Sequence, residues 1–138
     1  MSAAILQATH VEALKEATVR RARAARLSAA LAECVGVRQV RPTPGGLAGW
    51  LRFPVRLRYG LAGCGRRDVA ARLGIAAGYP APLADLPAVR ARLASPWREA
   101  RWPGAETLVR ELVTLPTHSL LTPADEAAIT HLLCDCPT

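Results

Sequence analysis

The sequence predicts an α+β domain: a short, mainly antiparallel sheet covered by helices and preceded by a long N-terminal helix. One observation is a run with a period of two over residues 51–59, which is typical of a strand with one buried face. A second is the absence of glycine and proline over residues 3–35, which favours one alanine-rich helix. A third is the Pro- and Gly-containing turn at residues 42–46, which predicts a hairpin between residues 37–41 and the strand.

The predicted strand has one apolar and one basic face. Its apolar positions are Leu51, Phe53, Val55, Leu57 and Tyr59, and its basic positions are Arg52, Arg56 and Arg58. Pro54 lies on the basic face and lacks a backbone donor. We therefore expect this strand at a sheet edge, or at a bulge, rather than in the middle of the sheet.

The N-terminal helix is expected to pack through small and apolar residues that recur at spacings of three and four. They are Val11, Leu14, Thr18, Ala22 and Ala25. Such an alanine-rich side suits close packing against another helix or another domain. Gly36 is expected to end the helix. The chain is thus divided into an N-terminal helix over residues 1–36 and a domain over residues 37–138.

Basic residues cluster on this helix at Arg20, Arg21, Arg23 and Arg26. The cluster could hold phosphates, or it could be the solvated side of an alanine-rich helix, and we favour the second interpretation. The net charge of +7 comes from seventeen arginines and one lysine against eleven acidic residues. Because the arginines are spread over the whole chain, charge alone does not favour a nucleic-acid partner.

Short elements are expected in the rest of the chain. Helices are predicted over residues 66–73, 86–93 and 106–112, and a third strand or extended segment over residues 75–79. Asp85 is expected to cap the second of these helices. Residues 114–116 are expected to break the third.

The last helix has a strong start signal, because Thr122 supplies a hydroxyl cap and Pro123 occupies the first helical position. Before it, Trp97 and Trp102 lie in a proline-bounded loop. They could stack on a ligand or a base, or anchor the loop onto the core, and we favour the anchoring role.

The cysteines do not form the pattern of a small disulfide-rich scaffold. They are Cys34, Cys64, Cys134 and Cys136, and we expect reduced thiols in a cytoplasmic protein. His131, Cys134 and Cys136 are the tightest set of possible metal ligands. Zinc usually takes four ligands and the spacing identifies no fourth, so no metal site is predicted. No apolar run reaches the roughly 18 residues of a membrane span, so no membrane partner is predicted either.

Catalytic signals are weak. Ser119 follows His118, and Asp125 lies six residues further on, but no nucleophile elbow surrounds the serine. Adjacent residues on a regular element do not point at each other. No catalytic residue is therefore predicted, and His118 is interpreted as a structural residue between two helices.

Several segments together resemble the DegT-type aminotransferases. Residues 114–125, with the sequence TLPTHSLLTPAD, resemble the "sLPtHp-x-Lt-x-x-d" segment before the final helix of that family. GI at residues 74–75 and YPAPL at residues 79–83 resemble its "GI…YP-x-PLH". Residues 51–55 resemble the central strand of its small domain, and residues 3–35 resemble the helix that links its two domains. The resemblance covers nearly the whole chain but only the last third of a typical member.

This resemblance implies the small domain of the aspartate-aminotransferase-like fold. It also implies an enzyme family that uses pyridoxal phosphate (PLP) to aminate nucleotide-linked sugars. The cofactor lysine and phosphate site belong to the family's large domain, so this chain alone is expected to bind no cofactor. Lys15 lies between Glu12 and Glu16, unlike a lysine that must react as a free amine.

Two motif positions carry over as substrate-side residues, Tyr79 and His118, although both also fit a packing role. Ala84 stands where the family motif ends in histidine. The predicted function is that of a split or truncated aminotransferase, inactive alone and dimeric when a large domain joins it. That domain is either a separate chain or has been lost. The alternative is a non-catalytic module that binds nucleic acid or another anionic partner through the arginine cluster and the tryptophan loop.

Overall fold

A computed structural model describes the backbone of residues 3–137 and the side chains of residues 9–137. The helices are α1 (Ala3–Ala30), α2 (Gly60–Gly63), α3 (Arg67–Arg72), α4 (Pro87–Arg90), α5 (Pro103–Glu111) and α6 (Pro123–Cys134), and a 3-10 turn spans Leu83–Asp85. The strands are β1 (Val37–Gln39), β2 (Arg52–Leu57), β3 (Ala76–Ala77) and β4 (Leu112–Pro116). The predicted α+β architecture with a long N-terminal helix is confirmed.

The strands form one antiparallel sheet in the order β1-β2-β4-β3. β1 and β2 form the predicted hairpin, in which Val37 lies opposite Leu57. β2 pairs with β4 from Arg52, opposite Pro116, to Arg56, opposite Leu112. β2 is therefore an inner strand of the sheet.

The expectation that Pro54 places its strand at a sheet edge is wrong, and the local hydrogen bonding explains why. The carbonyl of Pro54 accepts a hydrogen bond from the backbone N–H of Val40 at 3.3 Å, so the backbone of Pro54 faces the β1 side. β1 ends at Gln39, one residue before Val40. The lack of a donor on proline thus removes one hydrogen bond to the Val40 carbonyl, at the end of the β1 ladder, and the pairing of β2 with β4 continues through Pro54, which lies opposite Thr114.

The strand that sequence reasoning missed is β4. Residues 112–116 were interpreted as a helix end and a break, whereas they form the strand that pairs with both β2 and β3. α5 ends at Glu111 and β4 begins at the next residue, so no turn residues separate them. Val113 and Leu115 are buried, which is the alternation of a strand with one core face.

The core lies between one face of the sheet and two helices. Phe53, Val55 and Leu57 of β2 are buried as predicted, but Leu51 and Tyr59 at the ends of the predicted run are exposed. The other main contributors are Val113 and Leu115 of β4, Ile129, Leu132 and Leu133 of α6, and Ala24 and Leu27 of α1.

α1 packs through a different side from the one predicted. Ala24 and Leu27 are buried, as is Leu31 just after the helix. All five residues of the predicted stripe are exposed, and they are Val11, Leu14, Thr18, Ala22 and Ala25. Among residues 9–30 of α1, the buried apolar side chains therefore lie in the C-terminal part, and the side chains of residues 9–19 stand largely in solvent.

Two smaller predictions about caps have opposite outcomes. At α6 the Thr122 hydroxyl accepts the N–H of Asp125 at 3.2 Å, while the Asp125 carboxylate accepts the N–H of Thr122 at 2.9 Å. This reciprocal box confirms the predicted helix start. At α4 the capping position is Leu86, without a side-chain cap, and Asp85 is instead ion-paired with Arg90.

We expected the tryptophan loop to anchor on the core, and it does not. The rings of Trp97 and Trp102 stack on each other, with centroids 5.8 Å apart. Both side chains are exposed, at 55% and 39%. The pair is a surface feature of the loop before α5.

The cysteines are paired, which corrects the expectation of reduced thiols. Cys34 is bonded to Cys134, and Cys64 to Cys136, across sequence separations of 100 and 72 residues. The pairing depends on α6 lying beside the end of α1, which spacing alone does not reveal. Among the helices of residues 3–137, none is long and apolar enough to cross a membrane.

Candidate functional site

Residues 117–121, called here the motif loop, connect β4 to α6 and contain His118. Arg23 of α1 holds this loop by donating hydrogen bonds to the carbonyl oxygens of His118 and, at 2.6 Å, of Leu121. The Nε of Arg23 also donates to Glu126 of α6 at 2.7 Å. Arg23 is only 7% exposed. One buried guanidinium therefore ties the motif loop to α1 and α6 at the same time.

A second set of contacts fixes the other side of the motif loop. Glu16 of α1 is ion-paired with Arg20 at 3.0 Å and accepts the backbone N–H of Ser119 at 3.1 Å. Thr117 is fully buried, and its hydroxyl donates to the carbonyl of Trp50 at 2.6 Å. The backbone of the loop is thus held from three directions, which fixes the position of the histidine between Thr117 and Ser119.

His118 has an unsatisfied ring nitrogen. Its Nδ1 atom is buried and has no hydrogen-bond partner among the described residues. A buried polar atom without a partner costs free energy, so this nitrogen is a place where a water molecule, an ion or a group of a ligand would be stabilising. The fixed backbone and the unpaired nitrogen together make His118 the strongest candidate for a ligand or partner contact in the motif loop.

The carboxylates around the motif loop are ion-pair partners rather than proton donors. The hydrogen bond from Arg26, followed by the one from Arg23, holds the pKa of Glu126 below its ordinary value of 4.5 despite opposing burial. The hydrogen bond from Ser119 lowers the pKa of Glu16. Both groups are therefore charged at neutral pH, and neither can act as a general acid there.

The arginine cluster of α1 has a role that neither sequence interpretation anticipated. Arg20, Arg23 and Arg26 bind the motif loop, the start of β2 and α6, and Arg21 donates to the Thr18 hydroxyl at 3.4 Å. The partners of Arg23 lie about a hundred residues away in sequence, with a separation of 103 to Glu126. Sequence periodicity carries no signal for contacts of that range.

The structure does not bring the two motif-derived residues together. Tyr79 follows β3, whose last pair joins Ala77 to Val113 near the start of β4. His118 follows the end of β4. The two residues therefore lie at opposite ends of that strand. Tyr79 is 63% exposed, so its ring is free to meet a partner.

The residues present do not fit PLP as a resident cofactor. PLP is bound covalently by a lysine, and the one lysine of this sequence is Lys15. Its side chain is 66% exposed and ion-paired with Glu12 at 2.7 Å. An exposed lysine on a helix lacks the enclosed site that lowers the barrier to such chemistry. We therefore derive no reaction step through PLP from this chain.

Other candidate chemistries are not assembled either. Ser119 is held by its backbone N–H, and the Asp125 carboxylate is occupied by the Thr122 cap. His131 is paired with Asp135 at 2.9 Å. Within residues 3–137 no three histidine, cysteine or acidic side chains gather in a geometry that could hold a metal ion.

The antiparallel sheet with its long N-terminal helix matches the fold of the C-terminal part of aminotransferases of known structure. DesV of S. venezuelae superposes with a TM-score of 0.70 at 21% identity, covering 94% of this chain and 33% of DesV. TlmJ of Streptoalloteichus hindustanus superposes with a TM-score of 0.63 at 25% identity, covering 86% of this chain and 31% of TlmJ. The sugar aminotransferase CalS13 of Micromonospora echinospora superposes with a TM-score of 0.67 at 18% identity, covering 87% of this chain and 30% of CalS13.

The sequence comparison names the family. Residues 1–133 match the DegT/DnrJ/EryC1/StrS aminotransferase family, and the chain belongs to it. No curated protein matches the chain. The chain spans about a third of the length of the solved structures that it resembles, and it corresponds to their C-terminal part.

Proposed function

We propose that the chain acts as the small domain of a PLP-dependent nucleotide-sugar aminotransferase, in a split or truncated form that is inactive alone. The observation that carries this proposal is the family match over residues 1–133, set against a length that covers only a third of the related structures. One related structure is a sugar aminotransferase, and another, DesI, was determined with its TDP-sugar product. These relatives support a nucleotide-linked sugar as substrate.

In this proposal the first part of α1 is the surface that meets the large domain. Val11, Leu14 and Val19 are exposed at 46%, 56% and 36% on a helix that continues away from the core. Burying such side chains on a partner stabilises the complex by roughly 25 cal/mol per Å² of apolar surface. Residues 1–36 then serve as the linking helix and residues 37–138 as the domain proper. The reconstituted enzyme is a dimer.

His118 and Tyr79 are the residues that we propose to face the substrate. His118 offers a buried, unpaired ring nitrogen, and Tyr79 offers an exposed ring with a hydroxyl. Because they lie at opposite ends of β4, they would contact different parts of the substrate or of the large domain. Ala84, in the 3-10 turn after Tyr79, supplies no hydrogen-bonding side chain where the family motif has histidine.

The expected lack of aminotransferase activity can be tested directly on the purified 138-residue chain. PLP is added, and the visible absorbance of lysine-bound cofactor is followed together with amino transfer to a nucleotide-linked keto sugar. We expect neither signal, because Lys15 is exposed and ion-paired. A bound cofactor that survives dialysis, together with amino transfer that disappears in Lys15→Gln, would overturn the proposal.

The alternative function, a module that binds an anionic partner through the arginine cluster, has less support. Arg20, Arg23 and Arg26 are engaged within the protein. Releasing Arg23 to a nucleic acid would leave the carbonyls of His118 and Leu121 without their donor. Salt-dependent binding of mixed nucleic acid that weakens in Arg21→Gln would favour this alternative.

A further inference from the structure

A depression at one end of the sheet gathers three arginines far from the motif loop. It is lined by Val35, Gly36, Arg38, Arg56, Arg58 and Glu111. At this end β1 begins, β2 ends and β4 begins, whereas the motif loop follows the other end of β4. The volume is about 470 Å³, within the usual range for small-molecule sites.

The pairing register forces two of these arginines together. Arg38 of β1 lies directly opposite Arg56 of β2. The hydrogen bond from Val40 to Pro54 makes this a hydrogen-bonded pair, with Cα atoms about 5.5 Å apart and both side chains on one face. Like charges directly opposite each other destabilise a sheet. The arrangement is therefore unfavourable unless anions compensate it.

The protein supplies only part of that compensation. Glu111 is shared between Arg56 at 2.7 Å and Arg110 at 3.2 Å. Within the described part of the chain, Arg38 and Arg58 have no carboxylate partner, and the Arg58 guanidinium lies 5.6 Å from the ring centre of Tyr59. Three guanidiniums and one carboxylate line the depression. Its lining thus carries an excess of two positive charges.

We propose that this depression binds a small ligand through a phosphate or diphosphate group. A phosphate dianion balances the excess charge of the lining. Guanidinium groups also match phosphate oxygens in pairs, which makes arginine well suited to this recognition. The proposal does not rest on the aminotransferase role, because its argument uses only the charges, the strand register and the depression of this chain, at the other end of the sheet from His118.

Inorganic pyrophosphate is the probe that tests the site on the full chain, by calorimetric titration at low salt. We expect one site per chain. Arg38→Gln and Arg58→Gln should each weaken binding at least about tenfold, because a charge-assisted hydrogen bond to phosphate is lost. Both side chains are exposed, so neither variant should unfold at a lower temperature without ligand. Arg38→Gln should unfold at a slightly higher temperature, because it removes the charge opposite Arg56. Arg92→Gln, an exposed site on the segment after α4, is the matched control and should bind like the parent chain.

Three results would overturn the proposal. The first is the absence of saturable binding at low salt. The second is an equal loss of affinity in Arg38→Gln and Arg92→Gln, which would mean that pyrophosphate responds only to net charge. The third is tight binding of single-stranded RNA that pyrophosphate does not displace. None of these outcomes bears on PLP binding or amino transfer. If the phosphate site is disproved, the proposed aminotransferase role still stands or falls with the PLP and amino-transfer assay described above.

Discussion

At the scale of single residues, Arg23 is the contact that holds the candidate site. Its guanidinium is buried and satisfies two carbonyls of the motif loop and one carboxylate of α6. From sequence, Arg23 was indistinguishable from its neighbours Arg20, Arg21 and Arg26. The partners of Arg23 are distant in sequence and come near only in the folded chain. The local sequence pattern therefore identifies the motif around His118 but not Arg23, the residue that positions it.

Removing this contact should destabilise the whole domain. Arg23→Met leaves the His118 and Leu121 carbonyls without a donor and Glu126 with one partner fewer, and breaking a buried pair in this way costs on the order of 3 kcal/mol. Urea unfolding measures the loss. Arg26→Met is the matched control, because Arg26 pairs with the same Glu126 carboxylate but its side chain is 57% exposed. Equal losses in the two variants would contradict a special role for Arg23.

The stability of the domain should fall in acid through Glu126. The hydrogen bonds from Arg26 and Arg23 lower its folded pKa below 4.5. Its contribution is therefore complete above the unfolded pKa and is lost as the pH falls through the folded value. Denaturant unfolding between about pH 6 and about pH 3 should show this decline. Glu126→Gln should flatten the decline, whereas Glu33→Gln, at an exposed position, should leave it unchanged. An unaltered profile in Glu126→Gln would contradict the assignment.

At the scale of elements, the sequence predicts those with a local signal. The α6 start and the β1–β2 hairpin follow from capping and alternation. Uninterrupted helix propensity predicts α1, although the helix ends at Ala30 and not at the predicted Gly36. β4 has no such signal, because α5 runs into it without a turn. Pro54 suggested an edge strand for a related reason. A proline is tolerated in an inner strand when its nitrogen faces the end of the neighbouring strand, and the sequence does not show which neighbour that nitrogen faces.

The α6 cap gives a direct test at this scale. Thr122→Ala removes the side-chain acceptor for the Asp125 N–H and should cost about 1 kcal/mol. Thr122→Ser keeps a hydroxyl at the same position and should retain most of the stability. Thermal or urea unfolding of the two variants compares them. If serine proves as destabilising as alanine, the effect comes from packing of the threonine methyl group and not from the cap.

At the scale of the whole molecule, the structure presents a packed domain with a helix that extends beyond it. The core uses Ala24, Leu27 and Leu31, whereas the stripe that sequence periodicity selected, from Val11 to Ala25, is exposed. The periodicity identified a stripe of small and apolar residues, but it could not tell whether the stripe packs within the chain or against another domain. Family membership favours the second interpretation, which our proposal adopts.

The central claim is that this chain completes an aminotransferase rather than being one. The most direct measurement mixes the 138-residue chain with a DegT-family enzyme trimmed of its own C-terminal third, and follows amino transfer to a nucleotide-linked keto sugar. We expect each part to be inactive alone and the mixture to be active, with a lower rate in His118→Ala. Activity of the chain alone would contradict the claim. So would an inactive mixture when the trimmed enzyme recovers activity with its own C-terminal third.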